Sequence, residues 1–515
     1  MDNAQVLNNL NAIELELAEH RAFGDVPYIH KHLHLCFERG LGKLSGDLPV
    51  AGQLLDALSR AGDHARYRVI GDTVVRCAIT HALTRFETGD AWCLPLEECE
   101  EVFRATLRHL EEGHSGGPLE TGVTPVARLG PEPFHGWIWT EEHSGDVFGR
   151  SFRHVIEDNH GRPLCTPDAD ELTMLAKGAE LLGVLLPALS SSALAHTHVV
   201  AVFARDGKSA GRGSSSQFNI GGTIFLTRNG LKDPWWAAEH LLHESLHQKM
   251  YDFRRGHTLL NPDFARDDAP RVCSLWNEPS KEYNWDTHRA IAAFHVYVHL
   301  ALLSAVAERR EPTLAERYGR LQGMAGSQTA IERAYYLGEQ IKKLCWQELG
   351  LAGHVFIDWL CAVLDTLLDC LDVSPPPENS SLHLLLDRYR REARKVEIVL
   401  WEANSANGNG GTKADFPLQL TDLIKEEAKS VRSLLSTVDG ADGLNRFDDA
   451  MAQYKDEELG AKFADVRRLI SKTLLNMSPD GYRLKSYSLG PEAPDEIVRQ
   501  MVESSSQRLD MMLAS

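Results

Sequence analysis

With 515 residues, 43% of them hydrophobic and 25% charged, the chain carries enough apolar material for two to four packed domains of an ordinary globular protein. Its 54 basic and 73 acidic residues give a net charge of -19, which argues against nucleic acid and anionic membranes as partners. The opening residues MDNAQVLNNLNAIELELAEH lack the basic and apolar regions of a secretory signal, and no stretch is expected to reach the length of a membrane span. Nine cysteines without a CxxC pair fit reduced thiols, so a cytoplasmic setting is expected.

From residue 4 to about 112, apolar residues recur at three and four spacing, with breaks at 24–27, 46–49 and 89; an all-helical amino-terminal region over 1–120 is predicted. His30, His32 and His34 in YIHKHLHL alternate, which splays them around a helix axis, so they read as surface or satisfied histidines rather than a metal site. Residues 113–130 read as a loop, and the aromatic stretch PFHGWIWTEEHSGDVFGRSFRHVIED is open between a strand pair and an irregular cap. A helix over about 168–190 and buried strands at 198–204 and 221–227 follow. The run between the strands, with Ser214, Ser215 and Ser216 and a bare GKS at 207–209, reads as flexible loop. Gly221 and Gly222 would admit close approach of another backbone, or mark a bulge.

Asp233 as N-cap and Pro234 at the first helical position then start a helix that carries HESLH. His243 and His247, four apart, share one helical face and can converge on one metal ion. Glu244 lies beside them, where hydrolytic sites of this type place the general base. After a loop at 257–269, a long helix is expected over about 287–308, with His288, His295 and His299 along one stripe. One of them can supply a third donor, His295 first; Glu278 or Glu282 would instead complete a zinc site. The longer HExxHxxGxxH pattern fails, because Met250 and Phe253 occupy its glycine and last histidine positions.

Beyond residue 310 the chain reads as helical to 403, with the apolar run HVFIDWLCAVLDTLLDCL as core. A break falls at 374–381, a linker at 404–415 and a carboxy-terminal helical region at 416–515. The expected fold is mainly α with a small β-sheet: a zincin-like HExxH core over 121–310, flanked by helical regions.

The segment from about His196 to Ala305 resembles the HExxH family of peptide-modification proteins encoded near ribosomally made peptide precursors. The matching features are the strand HVVAVF, a Ser-rich loop, the strand GGTIFLT, the helix ending LLHESLHQKM, a Trp-containing loop and WDTHRAIAAFH. Some members are regarded as Fe(II)- and 2-oxoglutarate-dependent peptide β-hydroxylases. The resemblance implies His243, His247 and His295 as iron ligands and a peptide or amino-acid-derived substrate, with Glu244 orienting a ligand or a water. This chain has His288 and Arg289 where the family commonly has arginine and proline, so the group holding the 2-oxoglutarate carboxylate would be Arg289, or Arg271 behind it. A zinc peptidase or amidohydrolase is the alternative, with Glu244 as base and an oxyanion donor among His288, His299 and Tyr283. A helical binding protein with a degenerate metal site is the third reading.

Overall fold

Capping chemistry sets the helix boundaries. Asp25 accepts from the Tyr28 amide, Asp72 from Val74 and Val75, and Asp168 forms a capping box with Glu171. A computed structural model describes residues 3–89, 94–120, 127–129, 136–140, 145–160, 163–204, 214–277, 284–324, 326–327, 329–373, 380–405, 416–477 and 494–514. The protein is mainly helical, as expected, and among the described residues it has two small sheets where one was expected. The expectations for residues 207–209, Glu278, Glu282, Tyr283, 374–379 and 406–415 lie outside the described residues.

The described chain forms two compact units, 1–269 with 288–374, and 270–287 with 375–515. The first begins with six helices, α1 (Asn3–Glu19), α2 (Val26–Leu44), α3 (Pro49–Arg60), α4 (Asp63–Gly71), α5 (Thr73–Thr88) and α6 (Leu96–Glu111). Next come β1 (Trp137–Ile138), α7 (Val147–His160), β2 (Leu164–Cys165), α8 (Ala169–Leu185), α9 (Pro187–Leu194), β3 (Val199–Phe203), β4 (Ser214–Ser216), β5 (Thr223–Thr227) and α10 (Pro234–Gly256). After β6 (Val272–Cys273) and β7 (Asn284–Trp285), a two-stranded sheet of the second unit, come α11 (Thr287–Tyr318), α12 (Ala330–Gln340) and α13 (Leu351–Leu371).

The larger sheet runs β1-β3-β5-β4. β1, β3 and β5 are parallel, β4 closes the edge antiparallel to β5, and β2 pairs antiparallel with β3. Ser214 to Ser216, expected as loop, therefore form a strand. Their backbone pairs with Leu226, Phe225 and Ile224, and that ladder outweighs the weak β-propensity of serine. Val199, Ala201, Phe203 and Phe225 pack against α2, α3, α5 and α6 in one apolar core.

The expected close approach at Gly222 occurs, at φ 87°: a Cβ there would stand 2.6 Å from the Gly71 carbonyl oxygen. α11 runs ten residues past its expected end at Glu308, because the charged residues that break the apolar stripe are themselves good helix formers. The expectation that no stretch reaches a membrane span needs correction. α11 and α13 are both long and apolar enough by length and composition, and 94% of the α11 window is buried within the protein.

The second unit contains α14 (Ser380–Ser405), α15 (Phe416–Val438), α16 (Gly440–Met451), α17 (Phe463–Leu475) and α18 (Pro494–Ala514) around an apolar core. Inside it the fully buried Arg467 donates to Glu427 at 2.9 Å, to Glu392 at 3.3 Å and to the Tyr389 carbonyl at 3.1 Å.

Candidate metal centre

α10 starts as its sequence dictates, with the Asp233 carboxylate accepting from the Trp235 amide at 2.9 Å. Its far face lies against α8, where a Cβ on Gly178 would stand 2.5 Å from the Ala237 Cβ. Gln248 ties the helix to the sheet, accepting from the Gly222 amide at 2.9 Å and donating to the Thr223 carbonyl at 2.8 Å. Ser245 shares a hydrogen bond with Thr197 at 2.7 Å, and Lys249 donates to Ser192 at 2.6 Å. The motif is thus held on a helix fixed from several sides, and that rigidity favours precise placement of donor atoms.

One donor atom from each of His243, Glu244 and His247 lies within 4.8 Å of the other two. Burial pushes His243 down to about 4 although a quarter of its side chain remains open; the buried Glu239 carboxylate opposes the shift and Arg333 adds to it. His247 is held well below the usual imidazole range by burial, then by His243, His288 and Arg289. Both imidazoles are therefore neutral at pH 7 and keep a nitrogen lone pair, the form that binds metals. Glu244 is buried, with Oε1 accepting from Ser214 Oγ at 2.5 Å and standing 3.9 Å from His243 Nε2. Burial pushes its carboxyl up, and the hydroxyls of Ser214 and Ser216 oppose that. This donor set, two neutral imidazoles beside one carboxylate, fits a zinc- or iron-class ion.

His295 is brought near this group but not into it. It is buried on α11, with its ring 4.4 Å from that of His299 and 5.3 Å from that of Phe356. Its Nδ1 has no hydrogen-bond partner among the described residues, and burial, then His299, Lys249, His247 and His196, hold it well below the imidazole range. His299 is committed to its own helix, donating from Nδ1 to the His295 carbonyl at 2.7 Å. His288 is half-buried, 5.7 Å from the Tyr251 ring. Arg289 is exposed on the first turn of α11, within electrostatic reach of His247, whereas Arg271 is exposed in the second unit.

Sequence reasoning passed over several neighbours. Ser214 was read as solvated loop, yet it anchors Glu244. Arg333 of α12, buried and donating to the Tyr297 hydroxyl at 3.1 Å, adds a positive charge felt by His243, and nothing in its local sequence signals that. His30, His196 and Asp252 form a second buried group of possible metal donors. No family model matches the chain, and no curated protein matches it.

Proposed function

We propose that the chain is a metal-dependent enzyme whose ion is held by His243 and His247 of α10 and by a third donor from α11, with His295 first. The clustering of the His243, Glu244 and His247 donor atoms on a fixed helix carries this reading. His295 would complete the set by a side-chain movement toward His247, which breaks no hydrogen bond of its Nδ1 but gives up ring contacts with His299 and Phe356. An antiparallel edge strand on a parallel sheet, beside an HExxH helix, supports the zincin-like description of this core.

Within that class we favour Fe(II)- and 2-oxoglutarate-dependent hydroxylation of a peptide or amino-acid-derived substrate. Bound here, the ion and cosubstrate would supply dioxygen-dependent oxidation of a carbon–hydrogen bond. The protein's own part is to present neutral imidazoles, to offer Arg289 as a positive charge for a carboxylate, and to keep Glu244 fixed through Ser214. A zinc hydrolase is the second reading. It is favoured by the place of Glu244 within the donor group, from which a raised carboxyl pKa suits proton abstraction from water.

Anaerobic reconstitution with Fe(II), followed by visible spectroscopy with and without 2-oxoglutarate, separates them. A weak charge-transfer band that needs 2-oxoglutarate and disappears in His247→Ala and His295→Ala is expected. Absence of the band, together with one tightly held zinc in the purified protein, refutes the oxygenase reading and favours hydrolysis.

A further inference from the structure

His30 of α2, His196 between α9 and β3, and Asp252 of α10 come from three separate segments and meet in the interior of the first unit. They are 8%, 0% and 1% exposed, and one donor atom of each lies within 4.8 Å of the other two. Asp252 Oδ2 accepts from His196 Nδ1 at 2.8 Å, and its Oδ1 accepts from Arg76 Nη1 at 2.8 Å. A metal ion here would replace the proton that His196 Nδ1 shares with Asp252 Oδ2, freeing both atoms as donors beside His30, with the His196 proton then carried on Nε2. The His30 ring faces that of His196 at 4.6 Å between centroids. Among the described residues neither His30 Nε2 nor His196 Nε2 has a hydrogen-bond partner.

A buried imidazole nitrogen of His30 left without a partner beside the His196 and Asp252 pair is costly unless something binds it. We infer that His30, His196 and Asp252 form a second metal site, separate from the HExxH group, that takes a zinc-class transition ion in a structural role. Two of the three donors are imidazole nitrogens, which suit zinc, copper, nickel or iron and do not suit magnesium or calcium, whose sites are built from oxygens. Charge opposes an ion here, because Arg76 already neutralises Asp252, so binding must rest on strong bonds to the imidazole nitrogens. Zinc–ligand bonds are about 2.0–2.2 Å, and His30, which no hydrogen bond to its Nε2 restrains, can adjust to them. Asp252 follows His247 by five residues on α10, a rise of about 7.5 Å, so one helix carries donors for both sites.

The test uses the full chain, stripped with a chelator and titrated with Zn(II) against a chromophoric competitor. Wild type is expected to take two equivalents and His30→Leu one. In a His243→Leu/His247→Leu background the protein should still take one equivalent and melt higher with zinc. Adding His30→Leu to that background should abolish both effects. His30→Leu removes no hydrogen bond from Nε2, so a folded protein is expected, which circular dichroism checks; His30→Gln repeats the titration if it is not. One equivalent in wild type that persists in His30→Leu overturns the proposal and leaves a buried water between the two imidazoles. One equivalent that is lost in His30→Leu and kept in His243→Leu/His247→Leu supports this site and refutes metal binding at the HExxH group.

Discussion

Replacing Asp252 by alanine in the metal-free protein is expected to cost about 3–5 kcal/mol, because it strands a buried guanidinium. Arg76 is 2% exposed and Asp252 1%, so neither charge has water to fall back on. The remaining bond from Arg76 Nε to the Ile70 carbonyl, 2.6 Å, satisfies a donor but supplies no counter-charge. His196 loses the acceptor of its Nδ1 proton as well. Burial alone would push the Asp252 carboxyl up, but Arg76 and then His196 outweigh it and hold it down to about 2, against an ordinary value of 3.8. A carboxylate depressed on folding adds stability that is present above its unfolded value and is lost as pH falls through its folded one. That part, about 2–3 kcal/mol at neutral pH, should hold steady from pH 7 to about 5 and fade between about 4 and 2. Urea unfolding of wild type and Asp252→Ala in the presence of chelator, at several pH values, measures both. An apolar replacement of both partners, Arg76→Met with Asp252→Leu, should recover most of the loss. A single-variant cost under about 1 kcal/mol, or a double variant as unstable as the single, would refute the reasoning.

In the second unit, Arg467→Met should destabilise by about 3–5 kcal/mol, because Glu427 is left buried without its cation and Glu392 keeps only Arg388; denaturant unfolding followed by a probe in that unit should show a lowered midpoint. Gly178→Ala forces α8 and α10 apart at Ala237, and a loss of about 1–3 kcal/mol in thermal or urea unfolding is expected; an unchanged midpoint would mean the helices part freely. Glu244→Gln should keep its metal within about tenfold, since Gln retains the side-chain shape. Turnover should then fall by at least about 100-fold if the chemistry is hydrolytic, and by much less if it is oxidative; steady-state rates on an identified substrate decide.

Most of the helical frame was legible because its signals are local. Asp168 and Asp233 cap where their side chains can reach backbone amides, and the apolar strands at Val199 and Thr223 lie where β-branched residues concentrate. The HExxH pair was legible for the same reason, since one helical turn joins His243 to His247. β4 was not, because nothing in SSS favours a strand. Its order comes from pairing with β5 and from the Ser214 bond to Glu244, both tertiary events. The histidines of YIHKHLHL show the limit most sharply. The argument that alternating positions splay around a helix fails for one pair, since His30 and His34, four apart, share a face and stack with ring centroids 6.0 Å apart, although neither His32 nor His34 joins His30 in its donor group. It answers only whether one helix can gather three ligands. A site assembled from three segments needs just one residue from each, and helical period says nothing about His196 or Asp252, which chain folding alone brings to His30. Local periodicity can therefore locate donors that share an element, and a buried multi-segment site stays hidden until the packing of α2 against α10 is known.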